Sequence, residues 1–275
     1  MSDKQIGFIG GGNMTLALAG GLVASGFPAP NIAISEPSAE QRERLAEALP
    51  GVTVTATNAE VATQVDCLVL ATKPQILAAV CRDLAIAVQS NKPMIISIAA
   101  GVRSSDIDGW MGGDLAVIRV MPNQPALLRL GVSALFANER STGQDRALAT
   151  TIMAAVGKVV QVSDETDIDA VTAISGTGPA YFYLLIDMLV KTATDMGLDD
   201  DVARTLAIET ARGAAAIAAD SDDAMDGLIA KVRSPGGTTE AAFGSLEQQD
   251  VRAIFSAALY AARDRAIVLA DEAGD

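Results

Sequence analysis

The sequence predicts an α/β protein, with an N-terminal doubly wound domain over residues 1–162 and an all-α C-terminal domain over residues 163–275. Three observations predict it. Strand-sized apolar runs alternate with helix-sized segments through the first half, the pattern of βαβ units and a parallel sheet. A glycine-rich turn joins the first strand to the first helix. From Glu165 onward the periodicity is almost wholly helical.

Taken in order, Gln5–Ile9 is a short apolar strand, followed by the glycine turn and a helix over Met14–Ser25. Asn31–Ser35 is the second strand, and Ala39–Leu49 a helix charged on one face. Val52–Val54, Cys67–Leu70, Met94–Ile98 and Val117–Val120 continue the strand series, with helical stretches between most of them. Val132–Phe136 and Lys158–Val162 extend the same sheet. A long apolar helix then runs from Gly178 to Met196, and segments 200–220, 222–232 and 239–272 follow. These Ala-rich helices carry broad apolar faces that a thin layer cannot hide, so an obligate homo-oligomer is expected.

The chain has 275 residues, more than one ordinary core needs. Half are hydrophobic but only 4% are aromatic, so Ala, Leu, Ile and Val must form the core. The apolar runs Cys67–Ala71 and Met94–Ile98 are far below the ~20 residues that span a bilayer, and no basic leader precedes the first strand. Secretion and a membrane partner are therefore not expected. The net charge of −14 repels phosphate backbones, which argues against nucleic acid. Cys67 and Cys81 lie in apolar stretches and read as buried free thiols of a reducing, cytoplasmic compartment. Histidine is absent. That removes Ser-His-Asp and Cys-His catalysis and His-containing metal sites, and two cysteines cannot build a structural zinc site, so no metal is expected.

The segment Ile6-Gly-Phe-Ile-Gly10-Gly11-Gly12-Asn13-Met14-Thr15 places a glycine motif between a strand and a helix, the context of a Rossmann-type dinucleotide site. Gly10 permits the tight turn, and Gly12 lets the backbone approach a pyrophosphate at the helix N-terminus. Thr15 stands where the motif has its third glycine, a departure expected to widen the packing of helix on strand. Glu36 ends the second strand, where a carboxylate bonds the ribose 2′-hydroxyl of NAD and repels a 2′-phosphate. Its alternative is a solvated loop acid. Arg42 and Arg44 lie within the following helix. The residues thus lean toward NADH or dual use. In the second half, Lys231-Val-Arg-Ser234-Pro-Gly-Gly237-Thr238-Thr239 stops one helix and opens another, offering unpaired N–H groups to a small carboxylate. The hydroxyls of Thr238 and Thr239 either cap that helix or bond a substrate.

That last segment resembles the S-P-G-G-T-T signature of the pyrroline-5-carboxylate reductase family, and four other stretches resemble the family in the same order. Ala71-Thr72-Lys73-Pro74 is similar to its A-V-K-P turn, and Ser97-Ile-Ala99-Ala100-Gly101 to its S-I-A-A-G segment. Val120-Met-Pro-Asn-Gln124-Pro-Ala is similar to M-P-N-T-P-A with Gln124 for Thr, and Asp169–Tyr181 follows D-A-V-T-x-x-S-G-S-G-P-A-Y. The resemblance covers essentially the whole chain. It implies a reductase of Δ1-pyrroline-5-carboxylate using NADPH or NADH, and a helical dimerisation domain, with the oligomer a dimer or larger. It further implies cofactor contacts at Gly10, Gly11, Gly12, Asn13, Met14, Glu36 and Asn58. Ala71, Thr72, Lys73 and Pro74 with Ala99, Ala100 and Gly101 would run along the cofactor toward the nicotinamide. The substrate would rest on Ser234, Gly237, Thr238 and Thr239, with Thr239 reaching the ring nitrogen as the catalytic hydroxyl. Glu165 would touch substrate from the partner subunit. Lys73 reads as cofactor-positioning rather than a general acid, and Tyr181 as packing. Two rivals remain: another two-domain reductase such as a 3-hydroxyacid dehydrogenase, for which Lys191 is the only lysine on the long helix, and a non-catalytic dinucleotide sensor.

Overall fold

The computed structural model describes residues 3–274. Its sheet has eight strands: β1 (Ile6–Ile9), β2 (Ile32–Ser35), β3 (Thr53–Thr55), β4 (Cys67–Leu70), β5 (Met94–Ser97), β6 (Val117–Met121), β7 (Gly131–Ala137) and β8 (Gly157–Gln161). Their order is β3-β2-β1-β4-β5-β6-β7-β8. All neighbours pair in parallel except β6 and β7, which run antiparallel with Val120 opposite Leu135. The chain winds outward from β1 in both directions, so the strand order reverses between β1 and β4. In such sheets the crevice at the carboxyl ends of the strands opens at that point.

The central strands are continuous apolar runs because both faces are covered. In β4, Cys67 and Val69 enter one core layer with Ile6, Phe8, Leu18 and Ile96, while Leu68 and Leu70 enter the other with Ile9, Leu77, Leu84 and Ile95. Helices α1 (Asn13–Ala24), α2 (Ala39–Ala48), α3 (Asn58–Ala62), α4 (Pro74–Asn91), α5 (Ser104–Trp110) and α6 (Gly143–Ala154) connect or flank the strands. Their starts follow local chemistry. Ser38 caps α2 by accepting from the Gln41 N–H, Pro74 opens α4 at a position needing no N–H, and Thr142 and Asp145 form a reciprocal capping box on α6.

The chain divides into two compact units, one of residues up to Thr177 together with those from Ala262, the other Gly178–Ala261. This division falls later than the change in sequence pattern at 163. Helix α7 (Asp167–Val171) buries Ile168 and Asp169 in the sheet unit, and the π-helical turn Thr172–Gly176 that follows buries Ala173 there. The second unit holds α8 (Gly178–Asp195), α9 (Asp200–Asp220), α10 (Met225–Val232), α11 (Thr238–Gln248) and the first turns of α12 (Val251–Gly274). Segment 239–272 is two helices. Asp250 adopts φ +50°, and its carboxylate accepts from the Ala253 N–H to start α12.

Within the second unit very little is buried. Phe182 and Ile217 are each 62% exposed, and Leu184, Met188, Leu206 and Tyr260 are more than half exposed. The broad apolar faces expected from the sequence are thus present and uncovered within this unit. The helical run Asp167–Asp195, 29 residues long, is also apolar enough by length and composition to cross a bilayer, the only one among the described residues. It joins α7 and the π turn end to end with α8, the long apolar helix expected from Gly178 to Met196. Helices packed on other helices pass the same test.

Cys67 and Cys81 are free and buried. Burial pushes the Cys81 thiol up to about 12 and the Cys67 thiol higher, with Asp145 and Asp66 adding to the rise at Cys67. Both groups therefore stay protonated well above neutral pH, and the thiolate is the reactive form. Ellman's reagent at pH 8 is expected to label neither thiol in the native protein and both in denaturant. Rapid labelling of either thiol in the native protein would contradict this placement.

Candidate active site

Strand β1 ends against the carboxyl ends of β2 and β4, which leaves no room for a side chain at its exit. The Gly10 N–H donates to Ser35 O at 2.9 Å, and its backbone turns at φ +99°. A Cβ there would lie 2.8 Å from Ala71 O, so only glycine fits. Gly11 is excluded from bearing a side chain by Leu45 and Glu36, at 2.5 and 3.0 Å from an ideal Cβ. Gly12 differs: nothing lies within 4 Å of its Cβ position. It starts α1 with no side-chain cap and no acid in the first turn. The turn thus presents an open backbone face and the positive end of a helix, as an anion requires. Thr15, the departure from the glycine pattern, is fully buried and donates to Gly10 O at 2.6 Å, bracing the turn.

The second strand ends in Glu36, whose carboxylate bridges the turn. Oε2 accepts from the Gly11 N–H and Oε1 from the Ser38 N–H, both at 2.9 Å. Arg42 donates to the carbonyls of Glu36 and Pro37 at 2.9 and 2.8 Å, and Gln41 donates to Gly11 O at 2.6 Å. Arg44 is engaged by Gln41 instead. Asn58, at the start of α3, accepts from the Ser35 hydroxyl at 2.5 Å. After β4, the Ala71 N–H donates to Ile9 O, Lys73 is exposed, and Pro74 opens α4. The Thr72 Oγ1 is buried with no hydrogen-bond partner in the protein. A buried hydroxyl left unpaired beside the glycine turn, with an open Gly12 backbone, fits a bound dinucleotide.

A cleft of about 390 Å³ opens next to this turn, at the carboxyl ends of β1, β5 and β6. Asn13 and Met14 form one wall, Ile98 and Ala100 a second, Met121–Gln124 with Leu127 a third, and Gly176 of the π turn closes it. Gly101 turns at φ +67°, with Leu269 of α12 pressed against it. Asn123 ties the third wall to the π turn: its Oδ1 accepts from the Val132 N–H at 2.9 Å and its Nδ2 donates to Ser175 O at 3.2 Å. Of the expected residues, the structure brings Asn13, Met14 and Ala100 to the cleft, while Ala99 is buried in the core and Gly101 packs against Leu269. Met121, Pro122, Gln124, Leu127 and Gly176 line it too and were not among the expected site residues. The available signals were the Met-Pro-Asn-Gln-Pro-Ala run and, for Gly176, the Asp169–Tyr181 run.

Ser234, Gly237, Thr238 and Thr239 belong to the helical unit. Gly236 turns at φ +69°, and Gly237 starts α11 with no side-chain cap. Neither threonine hydroxyl caps the helix, while Glu240 accepts from the Gly236 N–H at 2.7 Å. Arg233 pairs with Glu247 at 2.7 Å and stacks on Phe243, steadying the turn. Glu165 belongs to the sheet unit, and its carboxylate is committed there to Ser104 and Arg119. Lys191 is exposed and paired with Asp187 one helical turn away, as a surface lysine would be. Tyr181 packs edge-on against Phe255 at 5.4 Å, its hydroxyl buried without a partner. Among the described residues no cluster of His, Cys, Asp and Glu could hold a metal ion.

Comparison with known proteins agrees with this geometry. Residues 165–269 match the family described as pyrroline-5-carboxylate reductase dimerisation, and residues 5–101 that described as NADP oxidoreductase coenzyme F420-dependent. The chain is 42% identical over 274 residues to the pyrroline-5-carboxylate reductase of Pseudomonas aeruginosa, covering 100% of both. It is similar to the solved structure of a pyrroline-5-carboxylate reductase from Coxiella burnetii, with 38% identity, TM-score 0.92, and 97% and 98% of the two chains covered. The Plasmodium falciparum pyrroline carboxylate reductase, solved with NADP bound, is similar at 28% identity and TM-score 0.86 over 98% and 99%. The chain belongs to the pyrroline-5-carboxylate reductase family, NAD(P)H-dependent oxidoreductases that reduce the C=N bond of Δ1-pyrroline-5-carboxylate to give L-proline.

Proposed function

We propose that the cleft beside the glycine turn takes the nicotinamide end of NAD(P)H and that the turn before α11 holds the substrate carboxylate. The observation that carries the first assignment is the open Gly12 backbone beside the unpaired Thr72 hydroxyl. The α1 N-terminus receives the pyrophosphate, and Gly10, Gly11, Asn13 and Met14 shape the path to the cleft. Asn58 and the Ala71–Pro74 turn flank the adenosine side and the mid-section, while Ala99, Ala100 and Gly101 support the nicotinamide face. When bound, the nicotinamide supplies the hydride.

The chain's own residues then have a modest task, which suits a sequence without histidine. A cyclic imine is readily protonated, and the iminium is already a good hydride acceptor. The protein must hold it face to face with the cofactor and keep its charge in place. Ser234, the amides from Gly237 to Thr239 and the α11 N-terminus bind the carboxylate. The Thr239 hydroxyl bonds the ring nitrogen and orients it. The uncovered apolar faces of α8, α9 and α12 support assembly with a second copy as a dimer or larger oligomer. Cys67 and Cys81, both free and buried, support a cytoplasmic location.

Glu36 supports a preference for NADH or dual use, because its carboxylate stands beside the Gly11 amide where a 2′-phosphate would bring like charge. Glu36→Ser is expected to raise the NADPH/NADH ratio of kcat/KM about tenfold, equivalent to ~1.4 kcal/mol. An unchanged ratio, measured by steady-state kinetics with each cofactor, would remove Glu36 from selectivity. Thr239→Ala is expected to lower kcat/KM for the imine by about 10- to 100-fold, as loss of one or two good hydrogen bonds does, while cofactor affinity holds. Wild-type kinetics in that variant would exclude Thr239 from the reaction.

A further inference from the structure

Two ion pairs join the chain segments that carry the cleft's walls, and the cofactor and substrate assignments proposed above leave them unused. Arg119 lies on β6 two residues before Met121, and its side chain is 2% exposed. Its Nη1 donates to Glu165 Oε1 at 3.0 Å. The same carboxylate accepts from the Ser104 N–H at 2.6 Å and from the Ser104 hydroxyl at 2.8 Å. Beside it, Arg103 donates to Asp169 at 2.8 Å, and Asp169 is almost fully buried.

These contacts join three walls. Arg103 and Ser104 close the turn that begins at Ala99 and carries Ala100 into the cleft. That turn starts with a 3.4 Å bond from the Ala99 N–H to the Ser97 hydroxyl. Arg119 belongs to the strand that delivers Met121. Glu165 and Asp169 belong to the segment that continues through the π turn to Gly176, and π turns of this kind recur at functional sites. A buried ion pair adds little net stability over well-packed apolar groups, but it fixes register because either charge alone would be left uncompensated. Three hydrogen bonds thus hold Glu165 within its own unit, with its side chain 19% exposed.

We propose that Glu165 is a positioning residue for hydride transfer: by holding Ser104 to Arg119 it anchors the far end of the loop that leaves β5, residues 98–104, against β6, and so sets the shape of the nicotinamide cleft. This rests on the assignment of that cleft to the nicotinamide. Misplacement of a reacting ring by about 1 Å costs on the order of 100-fold in rate, so a small change in wall spacing acts on turnover more than on binding.

The test uses the full-length protein with two variants. Arg119→Met combined with Glu165→Met removes both charges and leaves neither uncompensated, while Glu165→Gln keeps the shape and part of the Ser104 bonding. The double variant is expected to stay folded with a melting temperature near the parent's, and to bind NADH or NADPH within about threefold by fluorescence. Its kcat is expected to fall at least about tenfold with KM for the imine little changed. In the ligand-free protein the amides of residues 98–104 are expected to exchange with deuterium about tenfold faster. Glu165→Gln leaves Arg119 uncompensated, so it is expected to melt below both parent and double variant, with kcat and exchange of residues 98–104 between theirs. Full kcat and unchanged exchange in the double variant would overturn the proposal, as would equal losses of melting temperature, cofactor affinity and kcat, which mark a purely structural pair. Failure of the parent protein to bind either cofactor would instead defeat the assignment of the cleft.

Discussion

Much of this molecule follows from how little space is left where β1 ends. The strand is hydrogen-bonded on both sides, to β2 and to β4, and the carbonyl of Ala71 occupies the volume a side chain at position 10 would need. The chain can leave only through a left-handed glycine, and it must then start a helix at once. That puts the uncapped amides of α1 at the point where the strand order reverses, beside the exits of β4, β5 and β6. Thr15 braces the turn from within, and Glu36 holds its outer side through the Gly11 amide. The anion site is therefore a product of sheet topology, and the residues around it tune what the site accepts.

The two halves handle burial in different ways. The sheet unit covers both faces of its central strands and gathers its buried charges into two ion pairs. The helical unit covers almost nothing, leaving Phe182, Leu184, Met188 and Ile217 open. Exposed apolar surface of that size marks an interaction face, and residues 165–269 match the family described as pyrroline-5-carboxylate reductase dimerisation, which supports the assembly proposed above. The same exposure explains why Asp167–Asp195 has the composition of a membrane span.

What the sequence disclosed, and what it hid, divides along a physical line. Features written in short windows were legible. The apolar runs of β1, β4 and β5, the glycine turn with Glu36 after the next strand, and the Ser-Pro-Gly-Gly-Thr-Thr turn each carry their meaning within about ten residues. Features made by distant partners were not. Asn123 meets Ser175 across 52 residues, and nothing in either neighbourhood foretells that pairing. Glu165, which the family resemblance implies touches substrate from a partner subunit, also accepts from Ser104, 61 residues earlier, a contact that no short window of sequence shows. The sequence does not show, either, that Thr15, at the third glycine position, is buried and bonds back to Gly10 O. Nor does an apolar run state its direction, so β7 joined the sheet as expected while its antiparallel pairing with β6 did not show.

The central claim is that a protein without histidine reduces a cyclic imine by positioning alone. The most direct measurement follows the absorbance of NADH and of NADPH, separately, in the presence and absence of Δ1-pyrroline-5-carboxylate. The account predicts imine-dependent oxidation, with NADH consumed at least as efficiently as NADPH. A folded protein that binds cofactor yet oxidises neither when the imine is added would contradict it.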